Sequence, residues 1–280
     1  MAILLSLAAA LTYGAADFIG GLMTKRNDVF RVVLLSQLLG AIPLLVVFPM
    51  LNDGALTSNA IWWGAGAGIA GGGGVVLLYR GLSIGRMSVV APITAVEAAV
   101  VPVLFGLATG ERPGVAALVG VATALVAVGF ISAVKEDVAG QSEARRSGIV
   151  EAFGAGIAFG AFFILLDGVD DDAGMWPLLV MRASSIALVA VGVLDTRVPL
   201  RPAQGSFWGI AAAGTFDVAA NILYLLSTRE GLLTIVAVVT SMYPAMTVLL
   251  ARLHLKERFT QVQVVGLVLA AVAIVLIATG

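Results

Sequence analysis

The sequence predicts an all-α membrane protein in which ten transmembrane helices form two inverted five-helix repeats. Of its 280 residues, 60% are hydrophobic and only 12% are charged, whereas about a quarter of a soluble domain is charged. Apolar runs of eighteen or more residues recur along the whole chain, and a helix needs about 20 residues to cross roughly 30 Å of hydrocarbon. The chain also resembles itself at an offset of 146 residues, which indicates an internal duplication.

The apolar runs are separated by short polar, glycine-rich or proline-containing segments, and each run is interpreted as one span. The predicted spans cover residues 2–22, 29–50, 61–79, 88–108, 115–134, 149–166, 175–194, 207–227, 232–253 and 262–278. Ten spans use about 200 residues, so no room remains for a water-soluble catalytic domain held by a single anchor.

Charge and cysteine content exclude several other classes. The net charge of −1 provides no basic face for a nucleic-acid partner. The chain has no cysteine and therefore no disulfide, thiolate metal site or cysteine nucleophile. A single histidine, His254, does not build a metal site, so we expect no metal and no cofactor.

The distribution of basic residues predicts the orientation in the membrane. The odd-numbered loops and the helix ends beside them carry 13 of the 16 lysines and arginines. Cytoplasmic loops are the ones enriched in these residues, so we expect both termini outside the cytoplasmic membrane. The first 22 residues lack a basic start and contain Asp17, so we expect a first span and not a cleaved signal peptide.

The duplication is clearest between residues 85–132 and 231–278, where 15 of 48 positions are identical. The same offset aligns Gly14-Ala15 with Gly160-Ala161 and Glu111-Arg112 with Glu257-Arg258. An odd number of spans in each half makes the second half enter the membrane from the opposite face, as in inverted-repeat transporters. We therefore expect one repeat at 1–134, a cytosolic linker at 135–147 and a second repeat at 148–280.

The ten spans, the Gly-Ala pair that begins each half and the segments Gly85–Arg112 and Gly231–Arg258 resemble the drug/metabolite transporter superfamily, EamA type. The resemblance implies a monomeric or weakly dimeric bundle in the lipid bilayer with a central solute cavity, lined mainly by helices three, four, eight and nine with parts of one and six. Two features depart from the family pattern. Arg182 lies where the family often has arginine, but the position aligned with it in the first half is Ser36, which Gln37 follows. Glu97-Ala98 aligns with Tyr243-Pro244, although the family tends to have proline at this point in both halves.

Four charged residues fall inside predicted spans, where each costs about 2.5 to 3.5 kcal/mol and therefore needs a cavity, a partner or a function. Glu97 and Asp217 lie near the middle of their spans, and Asn221 shares a face with Asp217 at i+4. We predict that these residues form a substrate and proton site. The alternative is that they only hydrogen-bond neighbouring helices.

The other two charged residues have less certain partners. Asp17 lies one turn beyond Tyr13 and could act as a gate or second proton site, or pair with Lys25 or Arg26 near the interface. Arg182 could bind a substrate carboxylate, neutralise an acid or be purely structural. Gln37, like Tyr13, is a candidate gate or charge partner.

Prolines inside spans predict kinks that free backbone carbonyls beside a cavity. These are Pro92, Pro102 and Pro244. Hydroxyls near them are candidates to contact a solute, with bonding to their own helix as the alternative. They belong to Thr94, Thr240, Ser241 and Tyr243.

Two further motifs favour packing over chemistry. The G-x-G-x-x-G at Gly66–Gly71 lies within an apolar span and lacks the preceding strand of a dinucleotide site. Gly64, Gly68 and Gly72 instead form one small-residue face for a neighbouring helix. The acidic cluster at Asp167 and Asp170–Asp172 could hold Mg²⁺ in an intramembrane transferase, but a solvated acidic loop explains it as well.

These observations predict a secondary transporter that moves a small polar organic metabolite or drug by alternating access, with protons as the favoured energy source. No ATP-binding motif occurs in the chain. The alternatives are the Mg²⁺-dependent transferase and, third, a channel.

Overall fold

The computed structural model describes residues 1–84, 87–131, 148–255 and 260–279, and these residues form helices and loops without any strand. The predicted linker at 135–147 lies outside the described residues, as do Glu257 and Arg258. The side chains of Pro92 and His254 are likewise not described.

The described chain contains eleven α-helices and one short 3₁₀ turn at Asp171–Ala173. The helices are α1 (Ala2–Thr24), α2 (Val29–Leu51), α3 (Ser58–Ile84), α4 (Met87–Thr109), α5 (Val115–Ile131), α6 (Ile149–Asp167), α7 (Trp176–Thr196), α8 (Phe207–Thr228), α9 (Leu233–Thr240), α10 (Pro244–Leu255) and α11 (Gln261–Thr279). Six of them (α1, α2, α3, α6, α7 and α8) are long and apolar enough to cross a membrane. Shorter apolar stretches lie in α4, α5, α9–α10 and α11.

Two predicted spans differ from the observed helices. The third span extends to Ser58–Ile84, because Thr57 caps its start by accepting the N–H of Ala60 with its side chain at 3.0 Å. The ninth span is two helices, since Pro244 supplies no N–H and Tyr243 N–H bonds Thr240 O at 3.2 Å in a tighter turn. By contrast, α4 runs unbroken through Pro102, so the expected break occurs only in the second half.

The two halves pack into each other in a pattern with two-fold symmetry. Helix α1 packs on α8, and its repeat equivalent α6 packs on α3. In the same way α2 packs on α8 while α7 packs on α3, and α4 packs on α6 while α1 packs on α9 and α10. The fifth helices of the two halves, α5 and α11, contact each other directly. The core is therefore shared between the halves.

Glycines permit the closest of these approaches. A Cβ atom at Gly64 would lie 2.8 Å from Pro177 O, and one at Gly68 or Gly72 would overlap α7 in the same way. The predicted small-residue face of α3 is thus confirmed, and its partner is α7. The repeated Gly-Ala positions also share a role, because Gly14 contacts Tyr243 O between α9 and α10 and Gly160 contacts Val101 of α4.

Hydrogen bonds between loops join the halves at both ends of the bundle. At one end, Asn52 Oδ1 accepts the N–H of Met175 at 2.9 Å and Asn59 Oδ1 accepts that of Asp170 at 3.0 Å. We call this contact between the α2–α3 and α6–α7 loops the Asn52 interlock.

At the other end, the α1–α2 loop contacts the α7–α8 loop. Asn27 donates to Ser206 Oγ at 3.1 Å and accepts the N–H of Ala203 at 2.7 Å. We call this contact the Asn27 interlock. The two interlocks use equivalent loops of the two halves at opposite ends of the bundle, which is the relation expected of inverted repeats.

Candidate functional site

A cavity lies where the two halves meet, between α1, α2, α3, α6, α7 and α8, with Tyr243 from the α9–α10 break at its edge. Its volume is about 50 Å³. One water needs about 10 to 15 Å³ by this measure, so the cavity has space for a few water molecules.

A chain of polar side chains forms one wall of the cavity. Arg182 Nη2 lies 2.8 Å from Asp217 Oδ2, and Arg182 Nη1 donates to Gln37 Oε1. Asn221 donates to the same Asp217 oxygen at 3.2 Å, and Tyr13 OH donates to Asn221 Oδ1 at 2.6 Å. The chain links four helices, α2, α7, α8 and α1. It satisfies the buried charge of Arg182, whose side chain is only 4% exposed.

Helical spacing sets this arrangement locally. Asp217 and Asn221 are four residues apart on α8, and Tyr13 and Asp17 are four residues apart on α1, so each pair lies on one helix face. Because α1 packs on α8, the two faces meet at the cavity. The predicted sharing of a face by Asp217 and Asn221 is confirmed by their hydrogen bond.

Asp17 lies on the cavity wall beside this chain. Within the described residues its carboxylate makes no hydrogen bond or ion pair, and neither Lys25 nor Arg26 pairs with it. Asp17 is therefore the acidic group that the cavity leaves without a partner.

The opposite wall is apolar. It consists of Phe159, Phe162 and Phe163 of α6 together with Gly71, Gly72 and Val75 of α3. Phe162 and Phe163 pack with ring centroids 5.4 Å apart, and Phe163 lies 4.5 Å from the ring of Tyr224. The wall is thus part of a packed aromatic cluster.

The two walls occupy equivalent positions of the repeat. At the offset of 146 residues, the polar residues Tyr13, Asp17, Asp217 and Asn221 align with Phe159, Phe163, Gly71 and Val75. The duplication therefore places both sets at one cavity, and divergence has made one wall polar and the other apolar. Applying the sequence offset to the charged residues identifies these lining positions.

Glu97 and Thr94 lie away from this cavity. Glu97 contacts Gly156 of α6 and, within the described residues, makes no hydrogen bond. Thr94 donates to Val90 O at 2.9 Å and to Ala152 O at 3.2 Å, which joins α4 to α6. The face of α4 that carries Glu97 points to α6. Tyr243, its repeat equivalent, does line the cavity.

Several buried polar atoms have no partner among the described residues. Three belong to cavity-lining side chains: Arg182 Nε, Ser185 Oγ and Tyr243 Oη. Thr240 Oγ1 and Ser241 Oγ near the α9–α10 break are unpartnered in the same sense. Buried polar groups normally have a hydrogen-bond partner, so the three cavity atoms are free to bond a molecule in the cavity.

The acidic cluster has a structural role. Asp170 contributes its N–H to the Asn52 interlock, and Asp171 lies 3.6 Å from Arg229 Nε with its side chain 80% exposed. In the described part of the chain, no group of three or more histidine, cysteine or acidic residues is placed to hold a metal ion.

Glu111 has a role that sequence reasoning missed. Its carboxylate accepts the backbone N–H groups of Leu233 at 2.7 Å and Thr234 at 2.9 Å, and also the Thr234 hydroxyl. It therefore caps the start of α9 from the other half of the chain. The available signal was the repetition of Glu111-Arg112 at Glu257-Arg258.

The fold and the cavity define a class: a helical membrane protein with two related halves that enclose a polar site. The sequence model of the EamA-like transporter family matches residues 1–133 and 146–279, so the chain belongs to this family, as its resemblance predicted. The chain is accordingly an integral membrane transporter of small solutes.

Comparison with known structures supports the fold. The chain aligns with a protein of known crystal structure over 98% of its own length and 95% of the length of that protein. The TM-score is 0.75 and the sequence identity is 15%. At this identity the similarity establishes the shared fold alone. No curated protein matches the chain.

Proposed function

We propose that the protein is a ten-span secondary transporter of the cytoplasmic membrane, with both termini outside, that exports a small polar organic metabolite or drug by alternating access. One observation carries the proposal: a chain of buried and half-buried polar side chains from four helices lies on the wall of a cavity between the repeats. Charged groups inside a membrane protein typically mark a solute or ion pathway.

The interlocks supply the two gates. Equivalent loop contacts close the bundle at opposite ends, and each consists of a few hydrogen bonds between side chains and backbone. Opening the Asn52 interlock while the Asn27 interlock stays closed exposes the cavity to one side, and the reverse exposes it to the other. Because the loops are repeat equivalents, the two open states are related by the same symmetry as the halves.

The cavity also suggests the coupling group. Asp217 is held by Arg182 and Asn221, whereas Asp17 has no partner in the described residues. We assign the transported proton to Asp17. The other charged and titratable groups that face the cavity are Tyr13, Arg182, Asp217 and Tyr243.

Alternating access can be tested without knowing the solute, because the native chain has no cysteine. We expect a membrane-impermeant thiol reagent to label Ser185→Cys, in the cavity, when applied from either side of sealed vesicles. Two exposed positions serve as matched controls for sidedness. Ser83→Cys should react only from the cytosolic side and Thr109→Cys only from outside.

Labelling of Ser185→Cys from a single side under all conditions would contradict alternating access. Reversed labelling of the two controls would contradict only the proposed orientation.

The coupling assignment requires a transported solute. A thermal-shift screen of the purified protein against amino acids, nucleosides, sugars and organic cations supplies one. Proteoliposomes with an encapsulated pH-sensitive dye then report solute-driven proton movement. We expect Asp17→Asn to abolish that movement and Glu97→Gln, the matched control away from the cavity, to retain it. If Glu97→Gln lost solute-driven proton movement and Asp17→Asn retained it, the proton site would be Glu97 of α4 and not Asp17.

A further inference from the structure

The charges on the cavity wall limit the kind of solute that fits. Arg182 is paired with Asp217, and its second terminal nitrogen donates to Gln37. Among the described residues, Nε is the one guanidinium nitrogen without a partner. A solute carboxylate would therefore have to displace Asp217 or Gln37 to obtain a two-point contact.

Asp17 favours a cationic solute. With Arg182 and Asp217 neutralising each other, an ionised Asp17 gives the cavity a net charge of −1. A carboxylate without a partner in a membrane interior is stabilised by a cation. An ammonium group on the solute supplies that cation and up to three hydrogen-bond donors.

The apolar wall accepts the rest of the solute. Phe159, Phe162 and Phe163 offer ring faces and edges for stacking and for a cation–π contact. These rings already pack on α3, where a Cβ atom at Gly71 would lie 3.1 Å from Phe162 and one at Gly74 would lie 2.7 Å from Phe159. A solute ring therefore meets the cavity side of the phenylalanines.

We propose that the cavity binds organic monocations that carry one aromatic ring, with the ammonium group at Asp17 and the ring against the cavity-facing phenylalanines of α6. This inference rests on the proposed transport function and adds its substrate class. The same carboxylate holds either the ammonium group or a proton, so binding of one releases the other. Exchange of one proton for one monocation follows from this competition.

A set of compounds with one ring and different charges tests the proposal by equilibrium binding to the purified full-length protein in nanodiscs. Radiolabelled 2-phenylethylammonium is the probe. Phenylacetate, phenylalanine and 2-phenylethanol keep the ring but change the charge, and ethylammonium keeps the charge without the ring. We expect saturable probe binding that each of the four competes for at least tenfold more weakly than unlabelled probe. Equal competition by phenylacetate or 2-phenylethanol, or no probe binding, would overturn the substrate class.

Variants then assign the site. Asp17→Asn should weaken probe binding at least tenfold because a charge-assisted contact is lost, while Asp17→Glu should retain part of it. Asp195→Asn, the same change at an exposed position at the end of α7, should bind as wild type. Wild-type affinity in Asp17→Asn would show that the ammonium group does not bind at Asp17. If a variant fails to fold, the wild-type competition series still decides the class.

The substrate class and the transport function can be contradicted by different results. Probe binding without flux in proteoliposomes would leave the cation site in place and overturn the transport function. Flux of an anionic or neutral solute by a protein that does not bind the probe would leave transport in place and overturn the cation class.

Discussion

The Arg182–Asp217 pair makes an asymmetric prediction about stability. Asp217→Asn leaves the guanidinium charged and 4% exposed, since arginine does not lose its proton in proteins. Arg182→Gln leaves a carboxylic acid that can take up a proton and become neutral. The two single substitutions break the same contact, and we expect Asp217→Asn to be the more destabilising.

The magnitude follows from burial. Removing one partner of a buried ion pair costs about 3 to 5 kcal/mol. The Asp217 side chain is 23% exposed to the cavity, and an asparagine still accepts one hydrogen bond, so we expect about 2 to 3 kcal/mol for Asp217→Asn. We expect about 1 kcal/mol for Arg182→Gln, the cost of weakened hydrogen bonds to Gln37 and Asp217.

The Arg182→Gln, Asp217→Asn double variant removes both charges and can form a neutral side-chain hydrogen bond. We expect it to be about 1 to 2 kcal/mol more stable than Asp217→Asn alone, because no unpaired buried charge remains. Reversible unfolding in mixed micelles measures all four proteins, with the four tryptophans as the fluorescent reporter. The reasoning fails if Arg182→Gln is the less stable single variant, or if the double variant is no better than Asp217→Asn.

Three further predictions concern packing, capping and gating. Gly68→Val should prevent α3 from packing on α7 and lower the midpoint of thermal unfolding, whereas Gly73→Ala, whose added Cβ meets nothing closer than Leu188 at 3.9 Å, should fold as wild type. Glu111→Gln should lower stability by about 1 kcal/mol in the same assay, because it weakens the cap of α9. Asn27→Ala and Asn52→Ala should favour opening at opposite ends, seen as increased labelling of Ser185→Cys from opposite sides; an increase from one common side would refute the two-gate arrangement.

Much of the fold follows from the sequence because membrane helices leave strong signals. Apolar length located the helices to within a few residues, and the spacing of Gly64, Gly68 and Gly72 identified a packing face. The break before Pro244 was predicted, whereas Pro102 gave the same signal within a helix that stays continuous. A proline removes one N–H in both places, and tertiary packing decides whether the helix continues.

The sequence predicts how far along its helix each candidate residue lies, but not which neighbouring helix its side chain faces. Sequence position gives the height of a residue along its helix, so Glu97 and Asp217 were equally good candidates for the membrane centre. The rotation of a helix about its axis depends on its neighbours, and α4 turns Glu97 onto Gly156 of α6. The sequence also leaves the partners of Arg182 open, because two other helices, α2 and α8, supply Gln37 and Asp217.

The cavity has one charged wall and one apolar wall, although the two halves that form it are related by duplication. Two halves that pack with two-fold symmetry make equivalent loop contacts at the two ends of the bundle. The proposed alternating access needs two states of similar energy, since a solute can shift an equilibrium only by its differential affinity for the two states. A fully symmetric cavity would place acids on both walls, where like charges repel. Phe163 and Gly71 occupy the positions equivalent to Asp17 and Asp217, so one wall is charged and the other is apolar. The packing surfaces therefore keep the symmetry that the proposed gates require. The cavity is asymmetric, and in the proposed transporter this asymmetry holds a solute in one orientation.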